Sequence, residues 1–387
     1  PGASPGRISL SLGRRGRGGA REVSKNALTA LAGIGVALLA GLAILWAQGY
    51  PALPSYAALF SYSLFSKFAI VSTLNKATPL ILTGLSAAVG FGSNCVNLGQ
   101  PGQFLMGAMA VAAFGIACDL PAAIMIPLAI VVALAAGALW AGIAAGFRRR
   151  FNMDEFITTL MLNFIADYFT LYLISGPMWD RATYSPMTKV TNPGSWLPMW
   201  DGLSAAFVVS CVAFVITWVI WDRSKLGYEW RVMGQNSVFA RVGGCRNEDN
   251  FTRAMLLSGA LAGLAGGLMI MGGMQHRFVK GMGANYAWDG VMIAIVAANG
   301  MAPTALYALF FAAIQTGAMG MELETAVPSE FALVLQAIIV LFVVASREST
   351  RLLINRLAAT IRARAAVAGA AQEIGRAEGG GRDASGH

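Results

Sequence analysis

The sequence predicts an all-α protein, a polytopic transmembrane helical bundle of about ten spans with both termini cytoplasmic. Three observations carry that prediction. Of 387 residues, 56% are hydrophobic and only 12% are charged, where a soluble domain has about 25% charged residues. The charged residues are clumped, so long stretches stay nearly free of charge and no water-soluble surface can be built from them. The Lys and Arg also gather in a few segments, which an even number of crossings places on one side of a bilayer.

A helix needs about 20 apolar residues to cross the hydrocarbon. The pattern gives spans at 27–48, 72–92, 100–117, 121–147 and 156–175, then at 203–221, 252–274, 285–299, 303–319 and 330–345. The first is too long, and too poorly followed by a cleavage site, for a removed leader. The eighth and ninth are short and broken by the Gly300-Met301-Ala302-Pro303 turn, which leaves their full crossing open. Of 28 Lys and Arg, 22 fall in the segment before residue 27, the 148–150 turn, the 223–253 loop and the segment after 346. Such residues stay in the cytoplasm. The domain reading is therefore a basic cytoplasmic tail at 1–26, a transmembrane domain at 27–346 with a cytoplasmic loop at 223–250, and a basic, disordered tail at 347–387. On the outside, 51–67 reads as a mildly amphipathic stretch lying on the surface. Trp179, Trp196 and Trp200 in the 176–202 loop read as headgroup anchors.

The net charge of +9 is explained by these flanking basic residues, and no nucleic-acid partner is expected. Cys95, Cys118, Cys211 and Cys245 form no CxxC pair and read as small packing residues. With two histidines, His276 and His387, no metal site, cofactor or catalytic centre is expected. There is no GxxxxGK[ST], HExxH or GxSxG motif.

Glycine and polar residues inside the apolar spans carry the remaining signal. Gly259, Gly263 and Gly267 form a ridge where a helix can approach closely, in this chain or in a partner. The run from Asn94 to Gln103 breaks helix geometry with Gly and Pro. It is either a tight cytoplasmic turn or backbone lining a wet cavity. Asn163 and Asp167 share one face of the fifth span, Asp289 and Asn299 bracket the eighth, and Lys76 reads as snorkelling outward. The 222–253 loop holds Trp230, Val232, Met233 and Phe239, with a short helix expected near 237–242. Such apolar residues in a loop point to a docking surface for a soluble partner.

Four stretches carry a resemblance to a known family. They are Ala77-Thr78-Pro79-Leu80-Ile81-Leu82-Thr83-Gly84-Leu85 with Asn97-Leu98-Gly99; Met161-Leu162-Asn163-Phe164; the loop from Gly227 to Gly244; and the run from Ser258 to Gly267 continuing to Tyr286-Ala287-Trp288-Asp289-Gly290. Together with Val327-Pro328-Ser329-Glu330, they resemble the permease subunits of nucleoside and simple-sugar ABC importers, within the branched-chain amino acid and ribose permease superfamily. The chain departs from the family at Pro101 and Gln235, where an acidic residue is usual.

The resemblance implies a bacterial inner-membrane subunit that forms the path for a small polar solute and does no covalent chemistry. Its implied partners are an ABC ATPase subunit, a second and homologous permease, and a periplasmic or lipid-anchored solute-binding protein. Polar residues beside helix breaks nominate Asn97, Gln103, Asn163, Asp289 and Asn299 to line or gate the path. Gly227, Arg231, Gly234, Asn236, Val238, Phe239, Arg241 and Gly244 are nominated to couple the chain to the ATPase. Phe239 and Val238 form the wedge, and Gly234 and Gly244 the turning points. The rival readings are an ion-coupled secondary transporter, which needs a relay of ionisable residues, and an intramembrane enzyme, which needs a catalytic constellation.

Overall fold

The computed structural model describes residues 33–346. The predicted tails at 1–26 and 347–387 lie outside the described residues. The helices are α1 (Gly33–Ala47), α2 (Ala52–Leu64), α3 (Lys67–Gly92), α4 (Gln100–Ala117), α5 (Ala122–Phe151), α6 (Glu155–Ser175), α7 (Ala205–Arg223), α8 (Lys225–Gln235), α9 (Ser237–Val242), α10 (Asn247–Gly272), α11 (Ala284–Val296), α12 (Met301–Thr325) and α13 (Phe331–Ser346). A two-stranded hairpin, β1 (Met199–Trp200) with β2 (Leu203–Ser204), precedes α7.

The chain divides into two units, Leu42–Gln336 and a smaller one in which 33–41 and 337–346 are described. Within the smaller unit Gly33 lies against the Val343 backbone, where a Cβ would come within 3.0 Å of Val343 Cα. All features that bear on function lie in the larger unit.

Among the described residues, six helices are long and apolar enough to cross a membrane: α3, α5, α6, α7, α10 and α12. The ninth predicted span is thereby extended. It runs 25 residues as α12 and ends where Ala326 turns left-handed at φ +55. The eighth is short, at 13 residues in α11, or about 20 Å at 1.5 Å per residue.

α10 is the centre of the larger unit, and its glycine ridge is spent inside this chain. A Cβ on Gly263 would lie 2.7 Å from Gly137 Cα of α5, and one on Gly267 would lie 2.5 Å from Ala133 Cβ. Gly107 of α4 meets the Gly263 backbone from another side. Without side chains at these crossings, backbones pack directly, which is how helices associate where apolar burial gives no driving force.

Two segments read from the sequence as external differ from that reading. The 51–67 stretch forms α2, which docks on α12 instead of lying free, because Gly317 and Gly320 leave room for Leu59 and Tyr62. The 176–202 loop is tied to the 274–283 segment. Thr188 and Thr191 donate backbone N–H groups to the Phe278 and His276 carbonyls. Trp196 stacks on the His276 ring at 4.2 Å and donates to the Thr191 carbonyl at 3.1 Å. Its indole thus fastens two loops to each other, while Trp200 remains exposed.

Candidate functional site

α3 spans 26 residues, about 39 Å, and its two ends mark two polar regions. At the Gly92 end, the Asn94–Gln103 break is folded into the protein. Asn97 is fully buried there and every amide hydrogen-bonding group on it is matched. Its Nδ2 donates to Gln103 Oε1 at 2.9 Å and to Ser258 Oγ at 2.8 Å. Its Oδ1 accepts from Gln103 Nε2 and from the Gly99 N–H, both at 2.9 Å. Ser258 and Ser86 each donate to the other's backbone carbonyl, at 2.8 and 2.7 Å, locking α10 to α3. Asn163 closes the break from α6: its Oδ1 accepts from the Gly102 N–H at 2.9 Å and its Nδ2 donates to the Leu98 carbonyl at 2.8 Å. Gly102 stands in the first turn of α4, whose N–H groups have no helical acceptor, so Asn163 caps α4 from a neighbouring helix.

Asn299 lies at this same end. A Cβ on Gly92 would come within 3.7 Å of Asn299 Cβ, and the Asn299 Oδ1 is buried without a partner. Four of the five nominated path residues are thus brought to one end of α3. Asp289 lies apart, buried beside the middle of α3, where its Oδ2 accepts from Gln315 Nε2 at 2.7 Å. Lys76 belongs to the same group. Its Nζ donates to the Gln315 carbonyl at 3.1 Å, so it turns to α12 rather than snorkelling away.

The loop after α7 resolves into two helices against the Gly92 end of α3. The predicted short helix is α9, capped by Asn236, whose Oδ1 accepts from the Val238 and Phe239 N–H groups at 3.0 and 2.9 Å. Gly234 is no turning point. It lies within α8, where it lets the helix touch the Gly92 carbonyl. Gly227 does the same against the Ile220 and Trp221 carbonyls, whereas Gly244, at φ +86, is a true turn. The loop's apolar residues separate cleanly. Trp230 and Met233 are buried in this chain, with Trp230 Nε1 donating to the Asn250 carbonyl at 3.0 Å. Val238, Phe239 and Val242 are 71%, 64% and 84% exposed. Arg231 faces inward, donating to the Trp221 carbonyl and lying 3.6 Å from Asp222, while Arg241 is exposed.

At the Lys67 end a cavity of about 770 Å³ opens between α3, the β1–β2 hairpin, the end of α10 and the start of α11. The hairpin turns on Asp201 and Gly202, both left-handed at φ +54 and +87, the geometry a two-residue hairpin favours. Asn75 holds it, donating to the Gly202 carbonyl at 2.8 Å and accepting from the Ser204 N–H at 3.0 Å. An exposed Lys67–Asp201 ion pair stands beside the opening.

Sequence reasoning missed Ser86, Ser258, Gln315, Asn75 and Val242. Asn75 and Lys76 did carry a signal, as adjacent polar residues shortly before Pro79 within an apolar span. Among the described residues, no group of three His, Cys, Asp or Glu is placed to hold a metal ion.

Long apolar helices packed through glycine are those of a multi-pass membrane protein. The comparisons with known proteins name the class more closely. The family described as branched-chain amino acid transport system / permease component matches residues 69–344, and the chain belongs to that family. It is 34% identical to the guanosine ABC transporter permease protein NupP of Bacillus subtilis, over 82% of this chain and 93% of that one. It is 32% identical to the glucose ABC transporter permease protein TsgB13 of Haloferax volcanii, over 82% and 85%. It is 30% identical to the nucleoside ABC transporter permease protein NupB of Lactococcus lactis, over 83% and 91%. No solved structure matches. The chain is therefore an ABC transporter permease subunit that forms the translocation path, and ATP hydrolysis belongs to a separate chain. Family membership removes the ion-coupled transporter and the intramembrane enzyme.

Proposed function

We propose that this permease serves an importer of the bacterial inner membrane, crosses it about ten times with both termini cytoplasmic, and carries a nucleoside or a simple sugar delivered by a periplasmic or lipid-anchored binding protein. The nucleoside, guanosine and glucose permeases among its relatives support the solute class, and the distribution of Lys and Arg supports the orientation. Asn97, Gln103, Asn163 and Asn299 gate the path at its inner end, and Asp289 lines it farther out.

A second, homologous permease covers α6. Asp167 is exposed near the middle of that helix, among the exposed Phe164, Tyr168 and Phe169. Among the described residues its carboxylate has no ion pair. A carboxylate facing lipid at that depth costs about 2.5–3.5 kcal/mol on insertion scales, so this face favours a protein neighbour.

The observation that carries the coupling reading is the knob on α9, where Val238, Phe239 and Val242 project from a helix pinned to the end of α3 by α8. Exposed apolar side chains on a charged loop fit a cleft in a soluble ATPase. Arg241 meets its rim, and Gly244 gives the chain its turn. Phe239→Asp is expected to leave the permease at its normal level, because Phe239 is mostly exposed in this chain, while ATPase co-purification and uptake fall by about tenfold or more. Full co-purification and uptake by the variant would remove the coupling role from α9.

A further inference from the structure

The cavity at the Lys67 end of α3 discriminates between the two solute classes, because its wall is rich in flat and polarisable surface and poor in free polar groups. Phe68, Tyr286, Met199, Met269, Met274 and Pro79 supply apolar, aromatic and thioether surface. The polar groups are few, and several are already engaged. Both ends of the Asn75 amide are used in holding the hairpin. Lys76 spends two contacts on the Gln315 carbonyl and the Met319 sulfur, at 3.1 Å each, which leaves one ammonium proton. Pro79 has no N–H, so the Asn75 carbonyl four residues back in α3 lacks its helical donor. On α3 the cavity thus offers one ammonium donor, one released carbonyl and the Ser72 hydroxyl, with the Ser204 hydroxyl and the Tyr286 phenol as further polar groups on an otherwise largely apolar wall.

A hexose carries hydroxyls around its whole ring, and each one buried without a partner is costly. This wall offers partners to only some of them. A nucleoside divides its needs as the cavity does: a flat base stacks on aromatic and sulfur surface, and a ribose edge presents two or three hydroxyls on one side. The volume, about 770 Å³, lies within the usual range for small-ligand sites of about 300–1,000 Å³. The exposed Lys67–Asp201 ion pair lies at the opening.

We infer that this cavity is the outward-side binding site of the permease and that it takes a nucleoside, with the base against Tyr286 and Met269 and the ribose hydroxyls against Lys76, Ser72 and the Asn75 carbonyl. The inference rests on the permease reading above and narrows its solute. Tyr286 also anchors the site to the fold, because its backbone carbonyl lies 3.0 Å from the Thr83 hydroxyl of α3. Substrate contact at this position therefore reports directly on two helices that frame the cavity.

The test uses cells carrying the whole transporter, supplied with radiolabelled adenosine, guanosine, uridine or glucose, together with azidoadenosine photolabelling of the assembled complex. ATPase-dependent uptake is expected for nucleosides and not for glucose, and the photolabel is expected on peptides holding Tyr286 or residues 67–79. Tyr286→Leu should lower nucleoside uptake about tenfold, the worth of one lost base stack. Tyr286→Phe, which keeps the ring, should lose much less. Glucose uptake without nucleoside uptake would overturn the inference and leave the permease reading standing. Nucleoside uptake with the photolabel elsewhere and equal losses for Leu and Phe would overturn the site. Uptake that persists without the ATPase would strike the permease reading itself.

Discussion

The two ends of α3 use polar residues in opposite ways. At the Gly92 end, Asn97 is completely buried and its amide makes four hydrogen bonds to groups of its own chain. At the Lys67 end, polar atoms edge a cavity, and some of their bonding capacity is left over. Both regions look alike in sequence, as amides beside a glycine or proline in an apolar run. One kind of polarity fastens backbone that has left the helix, and the other faces a space. A gate needs the first kind, because a broken helix at depth must keep every N–H and C=O satisfied while it changes shape.

The sharpest way to break this comparison is Asn97→Leu. It strands the Gln103 amide and the Gly99 N–H in the interior, and takes one donor from the Ser258 hydroxyl, which keeps its bond to the Ser86 carbonyl. Each orphaned group costs about 1–3 kcal/mol, so the expected loss is several kcal/mol. Detergent-solubilised protein should unfold several degrees lower and accumulate poorly in the membrane. Normal accumulation with selective loss of uptake would turn Asn97 from a fastening residue into a solute contact.

Asn75→Ala tests the other end and should do less. It frees the β1–β2 hairpin from α3 by removing two bonds, each worth about 1 kcal/mol. A two-stranded hairpin has little stability alone, so the cover of the cavity should loosen while the helices stay packed. The expected result is a KM raised about threefold to tenfold, with protein level held. A collapse in level like that of Asn97→Leu would make the hairpin part of the core and erase the contrast between the two ends.

Much of the architecture was legible because lipid imposes a simple code. Length and apolarity locate helices, and the boundaries of α4 and α9 match the reading of 100–117 and 237–242. What could not be read was direction. Gly259, Gly263 and Gly267 announce a close approach, but only the fold shows that Gly137 and Ala133 meet all three from within the chain. Trp230 and Phe239 look equally apolar in the 223–250 loop, yet one is 2% exposed and the other 64%. The difference lies in residues distant in sequence, such as Asn250, whose carbonyl accepts from Trp230. Lys76 misled for the same reason: a snorkelling lysine and one turned to a carbonyl on another helix have the same local sequence. Gln315, which joins Lys76 to Asp289, sits 239 residues along the chain from Lys76, beyond any local pattern.

The smallest expected effect lies in the loops beside the cavity, where pH should tell the two ends apart. His276 is two residues from Met274 of the cavity wall and lies flat against Trp196, 4.2 Å away. Partial burial lowers its pKa below the ordinary 6.5, and the bond to the Ile270 carbonyl recovers part of that shift. A lowered value means that the folded protein resists protonation more than the unfolded chain does. The stack is therefore at full strength above about pH 6.5, the unfolded value. It weakens as the pH falls below that value toward the folded pKa. Proteolysis of the 186–202 loop should then run faster at about pH 5 than at about pH 7.5, with the Asn97 end unaffected because nothing in that network titrates. His276→Asn is the control, since Asn accepts the left-handed backbone at φ +45 but has neither ring nor charge change. Its loop should be cut faster than wild type at both pH values, by nearly equal amounts. If the variant keeps the wild-type pH dependence, some group other than His276 governs the 186–202 loop.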